Sequence, residues 1–307
     1  MIADFSELLL DGPWEHRFVS ANGARFHVAV AGPEGAPLVV LLHSFPQMWW
    51  AWRHQVPALA AAGYRVAALD LRGFGASDKP PLGYDLPNLS RDVAGVIRTL
   101  GSSEAVVVGH GLGAMIAWSM PTLQPAVTTA VAALSAPHPA HIHVSMRASL
   151  TAETRRRVGA VLVPNAAERR LRRTDVTAQL LRAWSTSTWT TEELDAYRTA
   201  MSVPSTAHSS LETVRWLLRN RLGTTYRTYV QTVRGRVRVP VLQLQGTRDG
   251  CVEPTTAAMD SVALCSQLRF EQLDGAGHFL AEERPDDVNE ILLDWLDAAF
   301  STPPPVE

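Results

Sequence analysis

The segment 105–118, Ala-Val-Val-Val-Gly-His-Gly-Leu-Gly-Ala-Met-Ile-Ala-Trp, limits the possible folds of this chain more sharply than any other stretch. It opens with a short, unbroken apolar run, the pattern of a strand covered on both faces. Gly109, Gly111 and Gly113 then bracket a turn that needs small residues, and an apolar helical pattern begins at once. A buried strand feeding a helix in this way belongs to a parallel α/β sheet. Strand-like runs recur at 15–19, 26–31, 38–42, 65–70, 105–109, 127–134, 239–245 and 268–273. Helical patterns at 52–62, 88–100, 112–123 and 285–300 separate several of them. The predicted class is α/β, a mostly parallel central sheet flanked by helices.

That alternation stops in the middle of the chain, where residues 139–237 carry only helical patterns rich in Arg, Thr and Ala. The expected organisation is a first core part at 1–138, an inserted Arg-rich helical cap at 139–237 and a second core part at 238–300. A disordered tail is expected at 301–307, where Pro303, Pro304 and Pro305 follow one another. The net charge of −2 conceals a division along the chain: residues 139–236 hold 16 arginines against 7 acidic residues, and the remainder holds 12 basic against 23 acidic. With 307 residues, 46% of them hydrophobic, the chain is long and apolar enough for one large core. Two cysteines, Cys251 and Cys265, cannot build a disulfide framework or a cysteine-rich zinc site. No apolar run approaches a membrane span, and the first residues lack the pattern of a secretory signal. A cytoplasmic protein is expected, with peripheral contact to a membrane left open by the basic cap.

Further motifs stand in a telling order. His43-Ser44-Phe45-Pro46 follows the third strand-like run. Asp70-Leu71-Arg72-Gly73-Phe74-Gly75-Ala76-Ser77-Asp78-Lys79-Pro80 follows the fourth. Ser135-Ala136-Pro137-His138-Pro139 opens the helical insertion, Gly246-Thr247-Arg248-Asp249 follows the seventh run, and Gly275-Ala276-Gly277-His278-Phe279 follows the eighth. Together with the glycine turn, these resemble the α/β-hydrolase superfamily in its epoxide-hydrolase and haloalkane-dehalogenase branch, over nearly the whole chain. The resemblance implies an α/β-hydrolase fold with a helical cap. It also implies a nucleophile elbow at 109–113, a catalytic acid at Asp249, a catalytic His278 and oxyanion-hole backbone N–H groups at Phe45 and Leu112. It implies no metal and no organic cofactor.

The chain departs from the family's pattern at the elbow centre, where the resemblance calls for Asp or Ser and Gly111 stands instead. Covalent catalysis from the elbow needs a reactive side chain there, and shifting the register by one supplies none. Val214 occupies the place of a cap tyrosine that protonates the opening epoxide, and Ser44 replaces the usual glycine of the oxyanion loop. Two readings follow. In the first, the protein is a catalytically impaired hydrolase, a pseudoenzyme, that binds a small apolar ligand or a protein or anionic partner. In the alternative, a retained Asp249–His278 dyad acts as a general base without an elbow nucleophile, in chemistry of hydrolase, lyase or cofactor-free oxygenase type.

Pocket candidates are His43, Trp49, Trp50, His110 and Val214, with the aromatics suited to an apolar ligand. His138, His141 and His143 lie close together but at no helical ligand spacing, so no metal is expected. Cys251 would have to reach the elbow from another loop and is a poor substitute nucleophile. The clusters Arg155-Arg156-Arg157, Arg169-Arg170 and Arg172-Arg173 read either as a solvated face or as a docking surface for an acidic protein or an anionic membrane. No nucleic-acid-reading motif accompanies them.

Overall fold

The computed structural model describes residues 3–141, 149–161, 163, 165–173, 175–219, 223–254 and 261–301. Eight strands form one sheet: β1 (Glu15–Ala21), β2 (Ala24–Ala31), β3 (Leu38–Leu42), β4 (Arg65–Leu69), β5 (Ala105–His110), β6 (Thr128–Leu134), β7 (Val241–Gly246) and β8 (Leu268–Leu273). Their spatial order is β1-β2-β4-β3-β5-β6-β7-β8. The first two pairings, β1 with β2 and β2 with β4, are antiparallel, and every later one is parallel.

The continuous apolar runs find their reason in this sheet. Along β3 and β5, alternate residues fall into two separate cores: Val39, Leu41, Val106 and Val108 on one face, Val40, Leu42 and Val107 on the other. The first core takes in Val56 and Leu59 of α1 (Gln55–Ala61), and the second takes in Val93 and Ile97 of α2 (Leu86–Thr99). Helix α3 (Leu112–Leu123) is buried from Leu112 through Met120, so it is apolar all round rather than amphipathic. A helix expected from Trp52 begins at Gln55 instead, because Trp49–Trp52 winds a separate 3-10 turn.

Between β6 and β7 the described residues contain six helices and no strand of the sheet: α4 (Ala152–Val161), α5 (Ala166–Arg173), α6 (Val176–Trp184), α7 (Thr191–Ser202), α8 (Thr206–Arg219) and α9 (Thr224–Val233). A short α10 (Ser261–Leu264) precedes β8, and α11 (Leu280–Glu283) and α12 (Pro285–Ser301) close the described chain. Val288, Leu292, Trp295 and Leu296 of α12 complete the first core. Residues 302–307, most of the tail expected to be disordered, lie outside the described residues. Among the described residues, no helix is long and apolar enough to cross a membrane.

Register places the functional loops together. Leu42 pairs with Gly109, and His110 pairs with Leu134, so the carboxyl ends of β3, β5 and β6 are level. The loops after β3, β5, β6, β7 and β8 therefore open at one edge of the sheet, the place where parallel α/β folds gather their sites.

Candidate active site

The elbow forms where β5 meets α3. Gly111 has φ +50° and ψ −108°, a backbone conformation that side chains rarely tolerate. Its N–H donates to Leu134 O at 2.9 Å, and its carbonyl accepts from Met115 N at 3.2 Å to open the helix. Gly113 serves a different need, since a Cβ there would lie 2.1 Å from Leu42 O. At Gly111 a Cβ would fall 2.1 Å from Ser44 Oγ and 3.3 Å from His278 Nε2.

On the other side of the site, His278 is tightly positioned. Its Nδ1 lies 2.9 Å from Asp249 Oδ2 and 3.1 Å from Oδ1. The Asp249 carboxylate also accepts from Cys251 N at 2.7 Å, from Val252 N at 2.9 Å and from Gln245 Nε2 at 2.8 Å. A carboxylate only accepts, so the neutral imidazole carries its proton on Nδ1 and turns a bare Nε2 toward the elbow. The His278 backbone is fixed as well: its N–H donates to Trp184 O at 2.8 Å, and its carbonyl accepts from Ser135 Oγ at 2.7 Å and His110 Nε2 at 2.7 Å.

His110 continues inward. Its Nδ1 meets Gln47 Oε1 at 3.2 Å, and Gln47 Nε2 donates to Glu282, which also accepts from Tyr197 Oη at 2.6 Å and from Arg53. Burial, with His278 alongside, pushes His110 well below the usual histidine range. Burial likewise raises the Glu282 carboxyl to about 7, against the opposing pull of Arg53.

A cavity of about 160 Å³ lies between this sheet edge and the inserted helices. The sheet side contributes Phe45, Leu112, Met115, Ala136 and Pro137, and the inserted segment contributes Leu150, Trp184, Val214, Leu217 and Tyr226. Its polar wall consists of Ser44, Ser135, Thr154, Cys251 and His278. Burial and the neighbouring Asp249 raise the Cys251 thiol far above its ordinary value, so it stays protonated and a weak nucleophile.

Four expected pocket residues are not on this wall. His43 is enclosed behind the loop it begins, with Nδ1 at 2.8 Å from Ser44 O and Nε2 accepting from Leu71 N at 3.1 Å. Trp49 turns away to pack on Trp14, His16 and His27 and to donate to Leu8 O. Trp50 lies against the Arg53 guanidinium at 4.1 Å and near the Tyr197 ring. His110 supports His278 from behind instead of facing the cavity. Of the two backbone groups assigned to an oxyanion hole, Leu112 N–H is already engaged: it donates to Ser44 Oγ at 3.2 Å.

Among the wall residues that the sequence did not assign to a pocket are Tyr226 and Ser44. Tyr226 borders the cavity from α9, whereas Tyr197 is bound to Glu282 and Tyr229 pairs with Ser119 at 2.8 Å. Ser44 fills the space that a residue at 111 would need, and the signal for it was reciprocal: a side chain gained in one loop where the other loop lost one. His138 packs on Trp118, and His141 is buried; His143 lies outside the described residues. No group of three potential metal ligands occurs among the described residues.

The fold and these motifs have close counterparts. The family described as alpha/beta hydrolase fold matches residues 37–285. Epoxide hydrolase A of Mycobacterium tuberculosis is 32% identical, with 91% of this chain and 96% of that protein covered. The AB hydrolase superfamily protein YfhM of Bacillus subtilis is 30% identical over 91% of this chain and 97% of its own length. Among solved structures, Epoxide Hydrolase A of Mycobacterium thermoresistibile superposes with a TM-score of 0.76 at 28% identity, over 92% of this chain and 98% of that one. The chain belongs to the alpha/beta hydrolase fold family, in its epoxide-hydrolase-like branch.

Proposed function

We propose that this protein is a hydrolase-type enzyme of the epoxide-hydrolase-like branch whose chemistry runs from Asp249 and His278, not from a nucleophile at the elbow. The observation that carries this reading is the intact base. His278 Nε2 is held bare at the cavity by the bond from Nδ1 to Asp249, 3.3 Å from where a side chain at Gly111 would begin. Such a base takes a proton from a bound nucleophile or water, and Asp249 stabilises the imidazolium that results. Covalent epoxide opening of the family type lacks its elbow carboxylate in this chain, because position 111 is glycine. Val214 leaves one cap proton donor of that chemistry unfilled.

The cavity restricts the substrate. A void of about 150 Å³ accommodates benzene, so the reacting part of a substrate in this 160 Å³ space is a small, largely apolar group. The test is turnover of small epoxides and activated esters by the purified protein beside His278→Ala. Turnover that disappears in the variant supports the base; equal turnover in both rejects it. The apolar lining favours a second reading, saturable binding of a small apolar ligand without chemistry. Binding with no turnover on any substrate of the panel is the result that selects it. Docking of an anionic surface to the inserted helices remains a further proposal. Its direct check is vesicle binding that weakens steeply as salt rises.

A further inference from the structure

We infer that Ser44 is a relocated nucleophile, so that the reactive hydroxyl of this site comes from the loop after β3 and the elbow after β5 makes room for it. This inference rests on the reading of Asp249–His278 as the working base. Three observations converge. Ser44 Oγ lies 2.1 Å from the point where a Cβ at 111 would sit, and His278 Nε2 lies 3.3 Å from that same point. The hydroxyl therefore occupies the volume of one absent side chain, and the imidazole nitrogen borders that volume. Leu112 N–H, at the head of α3, donates to Ser44 Oγ at 3.2 Å, which favours negative charge on that oxygen as it develops. Ser44 is 3% exposed, yet it forms part of the cavity wall, so a substrate reaches it only through the apolar space.

The other nucleophilic side chains of the wall are otherwise engaged. Cys251 is a raised, protonated thiol, Ser135 donates its hydroxyl to the His278 carbonyl, and Thr154 bonds Gly250 O and Thr151. Ser44 donates only to Phe45 O at 3.5 Å, a contact that is easily given up.

The chemistry assigned to this group is transfer of a small acyl group, with a carboxylic ester as substrate. Ser44 Oγ attacks the ester carbonyl while its proton passes to His278 Nε2. The ester C–O bond then breaks, and His278 returns that proton to the departing alkoxide, which leaves as alcohol. Water attacks the acyl-Ser44 ester and gives its proton to His278. The Ser44–acyl bond breaks, and His278 reprotonates Ser44 as the acid departs. One ester and one water become one acid and one alcohol.

An alkyl fluorophosphonate tests the assignment without knowledge of the natural substrate, because it forms a P–O bond to an activated serine with loss of fluoride. Intact mass and peptide mapping should place the adduct on Ser44, and His278→Ala should abolish it. Phenyl acetate hydrolysis should fall by about 10³-fold or more in Ser44→Ala. It should fall similarly in Ser44→Gly, which places at 44 the residue usual in the family and guards against a folding defect in the alanine variant. An adduct absent or on another residue overturns the assignment. So does hydrolysis that survives both Ser44 variants but is lost in His278→Ala, and that pattern leaves the base reading standing. Hydrolysis unchanged by all three substitutions overturns both.

Discussion

The two sides of the site are built in opposite ways. On the imidazole side, Asp249 takes hydrogen bonds from two backbone N–H groups, a glutamine amide and His278, while the His278 carbonyl takes two more. On the elbow side the chain keeps a positive-φ turn at Gly111 but no side chain to use it, and a hydroxyl from a neighbouring loop enters the space. A positive-φ turn in a glycine costs little and has no side chain to hold in place, so its retention alone says nothing of use. A buried carboxylate with four donors and an oriented imidazole is different. It positions one nitrogen at a cavity, the placement that the proposed base requires. On the proposed reading, the contrast assigns the base to the imidazole side and leaves the elbow side to receive the group it activates.

The sharpest way to break the contrast is Asp249→Asn. The amide cannot accept through both of its ends, so the imidazole loses the partner that fixes its proton on Nδ1. Turnover should fall by about 10³- to 10⁴-fold, by analogy with the loss of the carboxylate in other triads. A rate within tenfold of the parent would place the chemistry elsewhere.

Next comes the support behind His278. Glu282 has its carboxyl raised from 4.5 to about 7, chiefly by burial. A carboxyl raised on folding stabilises the native state fully below its unfolded value, and that contribution is lost as pH rises through 7. Glu282→Gln removes this dependence. Relative to the variant, the parent should lose on the order of 3 kcal/mol between pH 4.5 and pH 8, readable as a shift of urea midpoints. A constant difference across that range would show that the carboxyl does not titrate there.

The smallest effect belongs to the elbow. Gly111→Ala forces a methyl into the left-handed turn and onto Ser44, and should cost about 2 kcal/mol of stability. Adding Ser44→Gly should recover part of that loss, whereas additivity of the two changes would mean that they do not share space.

Where an element is buried on both faces, the sequence announced it. The run at 38–42 is β3 to the residue, and the helix at 112–123 is α3. Continuous burial leaves a continuous apolar signal, and the glycine turn fixes where strand gives way to helix. Asp249 and His278 were legible because each stands in a short motif at the end of a strand. Of the residues lining the cavity, Val214 was legible and most of the others were not. Trp49 and Trp50 are as apolar as a ligand wall requires, but a 3-10 turn swings them toward Trp14 and Tyr197. Ser44 and Gly111 lie in loops of different strands, and only the level ends of β3 and β5 bring them together. Contact of that kind has no one-dimensional trace.

The chain of groups behind His278 carries one proton whose position is coupled to an amide's direction. His110 Nε2 faces a carbonyl, so it must donate, and a neutral ring then presents a lone pair at Nδ1. With Gln47 turned oxygen-first toward that lone pair, the ring must be an imidazolium. Turning the amide about from that placement, in which Nε2 faces Glu282, would have Gln47 offer N–H to His110 and its oxygen to Glu282, which must then be a carboxylic acid. Burial depresses His110 and raises Glu282, and both tendencies send the proton to the acid. In that turned arrangement Glu282 is a donor, and the relay Glu282–Gln47–His110 points its hydrogens one way, ending on the carbonyl of His278. Ionising Glu282 would force that relay to reverse or to break, and the backbone holding the base would register the change.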